Sequence, residues 1–495
     1  MSKKKTSPEV ASPVSPDFKV EQKSNLPTPQ IITGSRIAIA VLALISVIAA
    51  LLLVRLPGIF QYAMVAVVPA ILVGAYIMIN PFAGVWAFVL MEYLRPYTFI
   101  AALRPLRLAI LTVAATLVSW IIHQAVRKER IHWNTLSTLF LCFLLIIAST
   151  VFTSLNNFLA YQVFEKMVVT FIMFFLTLNI AKSTTLLYKL IWMLMLIHLY
   201  YALKGIYNFA VIGYVSAGQV TSGVVGSSFL ADENDYALAL NTMIPFAFFM
   251  FQNQPNKLRK FFLLVILSAF GMGVVASQSR GGWVGLVAVT VFCILKSKQK
   301  VISLALVGFM CLAVVVFAPS SYWSEVSSIT DTGEATAQSR LNYWKAAGRM
   351  FLDYPLTGVG AGNGPIQMPN YVTGFRDPAT QWGRTFHGTL PLVIAETGGL
   401  GLLTYLVMLL VATRCLIKVQ KQFRHDHKSD EWTIASALAG SFIGYMTSAT
   451  FLSTAYYPQL WTLYAFTAGL VISVETSRQG VSNRNSASTE LPHAQ

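Results

Sequence analysis

The chain has 495 residues, 55% of them hydrophobic and 11% charged, with a formal net charge of +16. This excludes a water-soluble globular protein of that length. It also excludes a transmembrane β-barrel, whose strands alternate and run only about ten residues, because the apolar runs here are long enough to cross ~30 Å of hydrocarbon. The positive balance is not a nucleic-acid signal, since the lysines concentrate in short loops and tails, where membrane proteins carry their topology determinants. No nucleic-acid partner is expected.

Residues 1–36 are polar, basic and rich in Pro and Ser, and read as a disordered cytoplasmic tail. Apolar runs follow near 37–54, 59–79, 82–100, 106–126, 133–153, 160–181, 186–213, 231–251, 261–277, 282–295 and 301–319, then near 388–413, 432–451 and 459–475. They predict an all-α polytopic membrane protein of about 12–14 transmembrane helices. A helical bundle spans 37–319, one long loop 320–386, a second helical group 387–475 and a polar tail 476–495. Cys142, Cys293, Cys311 and Cys415 all lie in apolar runs, with neither metal-ligand spacing nor a disulfide framework.

The basic loops RKERIHW (127–133), NKLRK (256–260), KSKQK (296–300) and RCLIKVQKQFRHDHK (414–428) are separated by even numbers of spans. Placing all four in the cytoplasm is therefore self-consistent, and both termini then fall inside as well. The turn in SQSRGG (277–282), the segment LRPYTFIAALRPLR (94–107) and the loop 320–386 face outward. Cations on that face are Arg95, Arg104, Arg107, Arg280, Arg340, Arg349, Arg376 and Arg384, with Lys345 the one lysine among them. Guanidinium groups match phosphate in a planar, bidentate way that ammonium groups cannot. These arginines therefore either touch lipid headgroups and loop carboxylates or bind an anion.

Within the long loop, Leu341, Trp344, Ala347 or Gly348 and Phe351 recur at helical spacing and predict a surface amphipathic helix over 338–352, stopped by Pro355 and flanked by Arg340 and Lys345. The stretch TGVGAGNG lacks both the spacing and the βαβ context of a dinucleotide fingerprint. It is an ordinary loop or a turn whose N–H groups approach a ligand. His387 stands at the mouth of the next helix, either as a plain interfacial histidine or as a group able to take a proton near neutrality. Glu396, nine residues on, lies in an apolar run, where an acid is costly and so pairs, caps or lines a polar cavity. The acidic DEND (232–235) opens a helix, where negative charge suits the N-terminal dipole. No metal site and no cofactor are expected.

The segments NPFAGVWAFVLMEYLRP, ENDYALALNTMIPFAF, SQSRGGWVGL, QSRLNYWKAAGRMFLDYPLTGVGAGN, HGTLPLVIAETGGLGLL and FLSTAYYPQLWTLYAF, in this order and around one long outer loop, resemble the O-antigen ligase/O-antigen polymerase superfamily of bacterial membrane glycosyltransferases. The resemblance runs from about Asn80 to the last helix. It implies a metal-independent, inverting enzyme of the bacterial inner membrane with its site at the periplasmic face. The donor would be an undecaprenyl-pyrophosphate-linked glycan, the acceptor a lipid, protein or glycan hydroxyl, with membrane lipids all around. It implies that Arg280 and Arg340 hold the pyrophosphate and that His387 activates the acceptor. Arg95, Arg104, Arg107, Lys345 and Glu396 stand as secondary candidates. The chain departs from the family at Gly388, where members commonly carry Asn. A polymerase or a protein O-oligosaccharyltransferase would use the same donor chemistry. A lipid-glycan flippase would instead show an internal repeat and broken helices meeting at mid-membrane, and a scaffold would need no Arg/His set.

Overall fold

A computed structural model describes residues 70–99, 103, 107–212, 230, 232–297, 299–301, 304, 308 and 335–489. The expected span at 37–54, the part of the 59–79 span before residue 70, most of 301–319, and Arg104 lie outside these residues. Contacts divide the chain into two units after Leu72. The unit from Val73 onward is helical, with no strand among its described residues. It forms α1 (Pro81–Leu94), the short α2 (Pro96–Phe99), α3 (Leu108–Arg127), α4 (Thr135–Thr153), α5 (Asn157–Ile180), α6 (Thr184–Ile212), α7 (Glu233–Asn253), α8 (Lys257–Ser277) and α9 (Arg280–Lys296). Further along the chain come α10 (Ala335–Asp353), α11 (Gly364–Tyr371), α12 (Thr389–Gln422), α13 (Asp430–Ala449) and α14 (Pro458–Thr489). Six of the described helices, α3, α4, α5, α6, α8 and α12, are long and apolar enough to cross a membrane. The chain is an all-α polytopic membrane protein.

Several boundaries follow from side-chain caps. Asn134 accepts from the Ser137 N–H at the start of α4. Asn256 does the same for Arg259 on α8, and Ser429 for Trp432 on α13. The polar first turn of α8 places its start four residues before the apolar run, at Lys257 instead of 261.

α7 is the centre of the bundle, packed between α8, α9 and α13. Every residue from Asp235 to Phe251 is buried, although the helix carries Asp235, Asn241 and Thr242. Surrounding helices, not lipid, are its solvent, and they supply partners to several of its polar groups. The Asn241 amide donates to the Gly282 carbonyl at 2.8 Å and to Ser448 Oγ at 3.1 Å. Pro245 brings no N–H to the carbonyl one turn back, and Ser441 on α13 donates to the neighbouring Thr242 carbonyl at 2.7 Å. α13 reaches α7 this closely through small residues: a Cβ at Gly444 would lie 2.8 Å from the Asn241 oxygen. Between apolar helices in lipid, such packing contacts hold the bundle, because tails and side chains are equally apolar. On the other flank, Phe140 of α4 stacks on Trp461 of α14 with ring centroids 4.1 Å apart.

α12 is 34 residues long and broken at Gly398, whose φ of 63° is non-helical. The loop after α10 fills the break. The Val359 N–H donates to the Ala395 carbonyl and the Gly399 N–H to the Pro355 carbonyl, both at 2.8 Å. Only glycine fits at 398, since a Cβ would sit 2.4 Å from the Leu356 backbone.

Candidate active site

The SQSRGG turn joins α8 to α9. Gln278 ends α8 in the left-handed region and Ser279 caps α9, its Oγ accepting from the Gly282 N–H at 2.9 Å. The same hydroxyl donates to Asn234 Oδ1 at 2.6 Å and so ties the turn to the start of α7. Asp232 caps α7, accepting from the N–H groups of Asn234 and Asp235. Arg280 is therefore the first residue of a helix, where its guanidinium adds to the positive end of the backbone dipole. The two glycines after it serve helix packing. A Cβ at Gly281 would meet the Phe451 ring at 3.2 Å, and one at Gly282 would lie 2.5 Å from Ala237 Cβ.

Phe451 also receives Arg340, whose guanidinium carbon lies 5.8 Å from the ring centroid. One aromatic side chain thus joins the first turn of α9 to α10 and brings Arg280 and Arg340 to the same end of the bundle. His387 arrives there through α10. Its carbonyl accepts from Trp344 Nε1 at 3.3 Å, and its ring lies 6.0 Å from that of Tyr343. Tyr343 is itself held by a hydrogen bond to Gln381 at 2.8 Å and by stacking on Phe375. The next turn is anchored by Thr389, whose Oγ1 lies 2.6 Å from the Leu452 carbonyl and 2.9 Å from Thr454 Oγ1.

His387 has φ 48°, a left-handed backbone that costs a non-glycine residue about 1–2 kcal/mol. Burial lowers its pKa from the ordinary 6.5, the nearby charge of Arg340 lowers it further, Asp232 opposes, and Arg384 adds to the lowering. The imidazole is therefore neutral at physiological pH and holds a lone pair for a proton. Gly388 is extended (φ −173°), so its backbone does not demand glycine. A side chain there would meet Trp344 Nε1 at 2.8 Å, so the indole occupies the space an asparagine would need.

The secondary candidates fall elsewhere. Arg95 and Arg107 pair with Glu92 at 3.4 Å and Glu165 at 3.2 Å, around α1, α3 and α5. Lys345 is exposed on α10. Arg349 holds the loop, donating to the Tyr371 carbonyl at 2.6 Å and to Thr373 Oγ1 at 3.1 Å. Glu396 is buried and accepts three bonds: the Gly362 N–H at 2.8 Å, the Gly364 N–H at 3.1 Å and the Tyr456 hydroxyl at 2.9 Å. The glycine-loop donors are thus directed at a carboxylate of the chain itself.

The amphipathic helix forms, but its buried face is shifted. Asn342, Tyr343, Ala346, Ala347 and Met350 point inward, whereas Leu341 is 45% exposed. The face turns this way because α10 packs on α12, and Tyr343 and Asn342 face the loop before it, where Tyr343 donates to Gln381 and Asn342 lies beside Gly374. Nothing in the sequence marks Tyr343 or Phe451 as part of the site. Trp344 stands out there only as a member of an apolar stripe, and Asp232 only as the opening of a helix. Their signal is weak, because single aromatics in a membrane protein are usual at any interface.

No curated protein matches the chain. A family model described as O-antigen ligase matches residues 262–406, which run from α8 through Arg280, Arg340 and His387 into α12. Over those residues the chain is similar to the O-antigen ligase family.

Proposed function

We propose that the protein is a ligase-like transferase that moves a glycan from an undecaprenyl-pyrophosphate carrier to an acceptor hydroxyl at the periplasmic face of the inner membrane. The observation that supports this reading is that Phe451 carries Arg340 over its ring and packs against the first turn of α9, which Arg280 opens, while the half-buried His387 feels the charge of Arg340.

The acceptor oxygen attacks the anomeric carbon while the carbon–oxygen bond to the pyrophosphate breaks. The hydroxyl proton passes to His387, a transfer that typically contributes ~10²–10⁴-fold. Negative charge collects on the departing pyrophosphate, where Arg280 and Arg340 stand as fixed donors. One such contact in a dry site is worth roughly 2.7–4 kcal/mol. A single displacement inverts the anomeric centre. Arg280 gains further from the helix it opens, because helix N-termini favour anions.

The test is release of free undecaprenyl pyrophosphate by purified protein given a lipid-linked glycan and an outer-envelope acceptor fraction. Release by the wild type, lost in His387→Ala and Arg280→Ala, is expected. Absence of release with every such donor would overturn the proposal. The new anchor of the glycan distinguishes transfer to lipid, to protein or to a growing polysaccharide.

A further inference from the structure

A second charged cluster lies apart from Arg280, Arg340 and His387. α1, α3 and α5 enclose a cavity of about 660 Å³, within the usual size of small-molecule sites. Its lining includes Glu92, Tyr97, Arg107, Gln162, Glu165 and Lys166. Arg107 pairs with Glu165 at 3.2 Å, and Glu92 with Arg95 just behind the wall at 3.4 Å. These pairs engage both carboxylates with arginines. Lys166 feels the charge of Glu92 but forms no such pair among the described residues. Its ammonium lies 5.8 Å from the Tyr457 ring centroid, and no carboxylate among the described residues forms an ion pair with it.

An ammonium ten residues into an apolar helix is expensive to keep without an anion. Lys166 is nonetheless accessible, as a group facing a cavity is. The cavity also has a lipid-facing side. Ile110 lines it and is 37% exposed, at the head of an outward α3 stripe that continues through Leu111, Val118 and Ile122. An occupant therefore has its anion on Lys166 and its chain along α3. A phosphate fits better than a carboxylate, because it has oxygens for the Gln162 amide and the Tyr97 hydroxyl as well as for the ammonium.

We infer that this groove is a binding site for a phosphate-bearing lipid, with the phosphate on Lys166. The site does not depend on the transferase reading. Lys166 nevertheless connects it to the central helix, since the Tyr457 ring under its ammonium carries a hydroxyl that donates to Asp235 on α7 at 2.9 Å.

Native mass spectrometry of the full-length protein in detergent tests this, with phosphatidylglycerol, undecaprenyl phosphate and diacylglycerol as probes. Retention of at least one phosphate lipid, and not of diacylglycerol, is expected. Lys166→Met should reduce that retention at least tenfold, and so should Ala109→Trp, which fills the groove and leaves its charges in place. Lys345→Ala, which removes an exposed ammonium on α10 outside the groove, should retain the lipid as the wild type does. The better-held phosphate lipid identifies the source, bilayer phospholipid or polyprenyl carrier. Diacylglycerol held as well as the phosphate lipids would overturn the inference, as would wild-type retention by Lys166→Met. Should Lys166→Met fail to fold, retention by Ala109→Trp decides alone: loss supports the site and wild-type retention overturns it.

Discussion

The Trp344 indole N–H donates to the backbone carbonyl of His387 at 3.3 Å, and the same indole fills the space above Gly388. α10 therefore holds the histidine by its main chain, in a left-handed conformation it would not adopt unaided. Trp344→Phe keeps the packing and removes the donor. A hydrogen bond of this kind is worth about 1 kcal/mol, so kcat should fall roughly fivefold with the donor KM little changed. Gly388→Asn should lower activity more, since it must displace the indole. Combining it with Trp344→Ala should relieve the crowding. Equal loss in the single and double variants, measured by product release, would show that the indole does not set the histidine.

The pH profile tests the electrostatics. Burial first, and Arg340 second, hold the His387 pKa below 6.5. A base with a lowered pKa stays unprotonated to lower pH, so the acid limb of the rate should fall below pH 6.5. Removing the guanidinium in Arg340→Ala removes a charge that disfavours the imidazolium, so the residual activity should show its acid limb moved to higher pH. Arg340→Lys keeps the charge and loses the fork. It should lower the rate while leaving the limb nearly in place. A limb that does not move in Arg340→Ala would separate the two groups.

These relations were only partly legible in the sequence. The length of the apolar runs located the spans among the described residues, because a bilayer imposes that length. The start of α7 was legible through its acidic cap. The extension of α12 to Gln422, well past the apolar run that ends near 413, was not legible, since basic helix and basic loop look alike in composition. The break at Gly398 was also hidden, because glycine pairs are common in membrane helices. Arg280, Arg340 and His387 stand out by residue type, but Phe451 and Trp344, which bring them together, look like any aromatic in an apolar chain. The partners of Glu396 lie 32, 34 and 60 residues away, and no local pattern connects them.

All three partners of Glu396 are donors, which makes the site intolerant of an amide. Glu396→Gln retains one oxygen but turns an N–H₂ toward at least one donor. Losing a bond to a charged acceptor costs about 1.5–3 kcal/mol, and the mismatch adds to it. The loop from Gly358 to Gly364 should loosen, with a lower melting temperature in detergent and faster proteolysis after α10. Tyr456→Phe removes one bond of the three and should show a smaller shift of the same sign. A Glu396→Gln protein that melts like the wild type but has no activity would mean that the carboxylate acts in the reaction and not in the fold.

Arg280 is where charge and geometry can be separated most directly. Lysine at 280 keeps one positive charge at the start of α9 but offers no bidentate fork, and its ammonium is a compact point charge. If the fork holds the leaving pyrophosphate, Arg280→Lys should lose about 10²–10³-fold in kcat, close to the loss in Arg280→Ala. The fold should be unaffected, because Ser279 caps α9 with its own side chain and Gly281 and Gly282 make the packing contacts. Full activity in Arg280→Lys would mean that net charge alone suffices there, and the discriminating contact to the pyrophosphate would then have to come from Arg340.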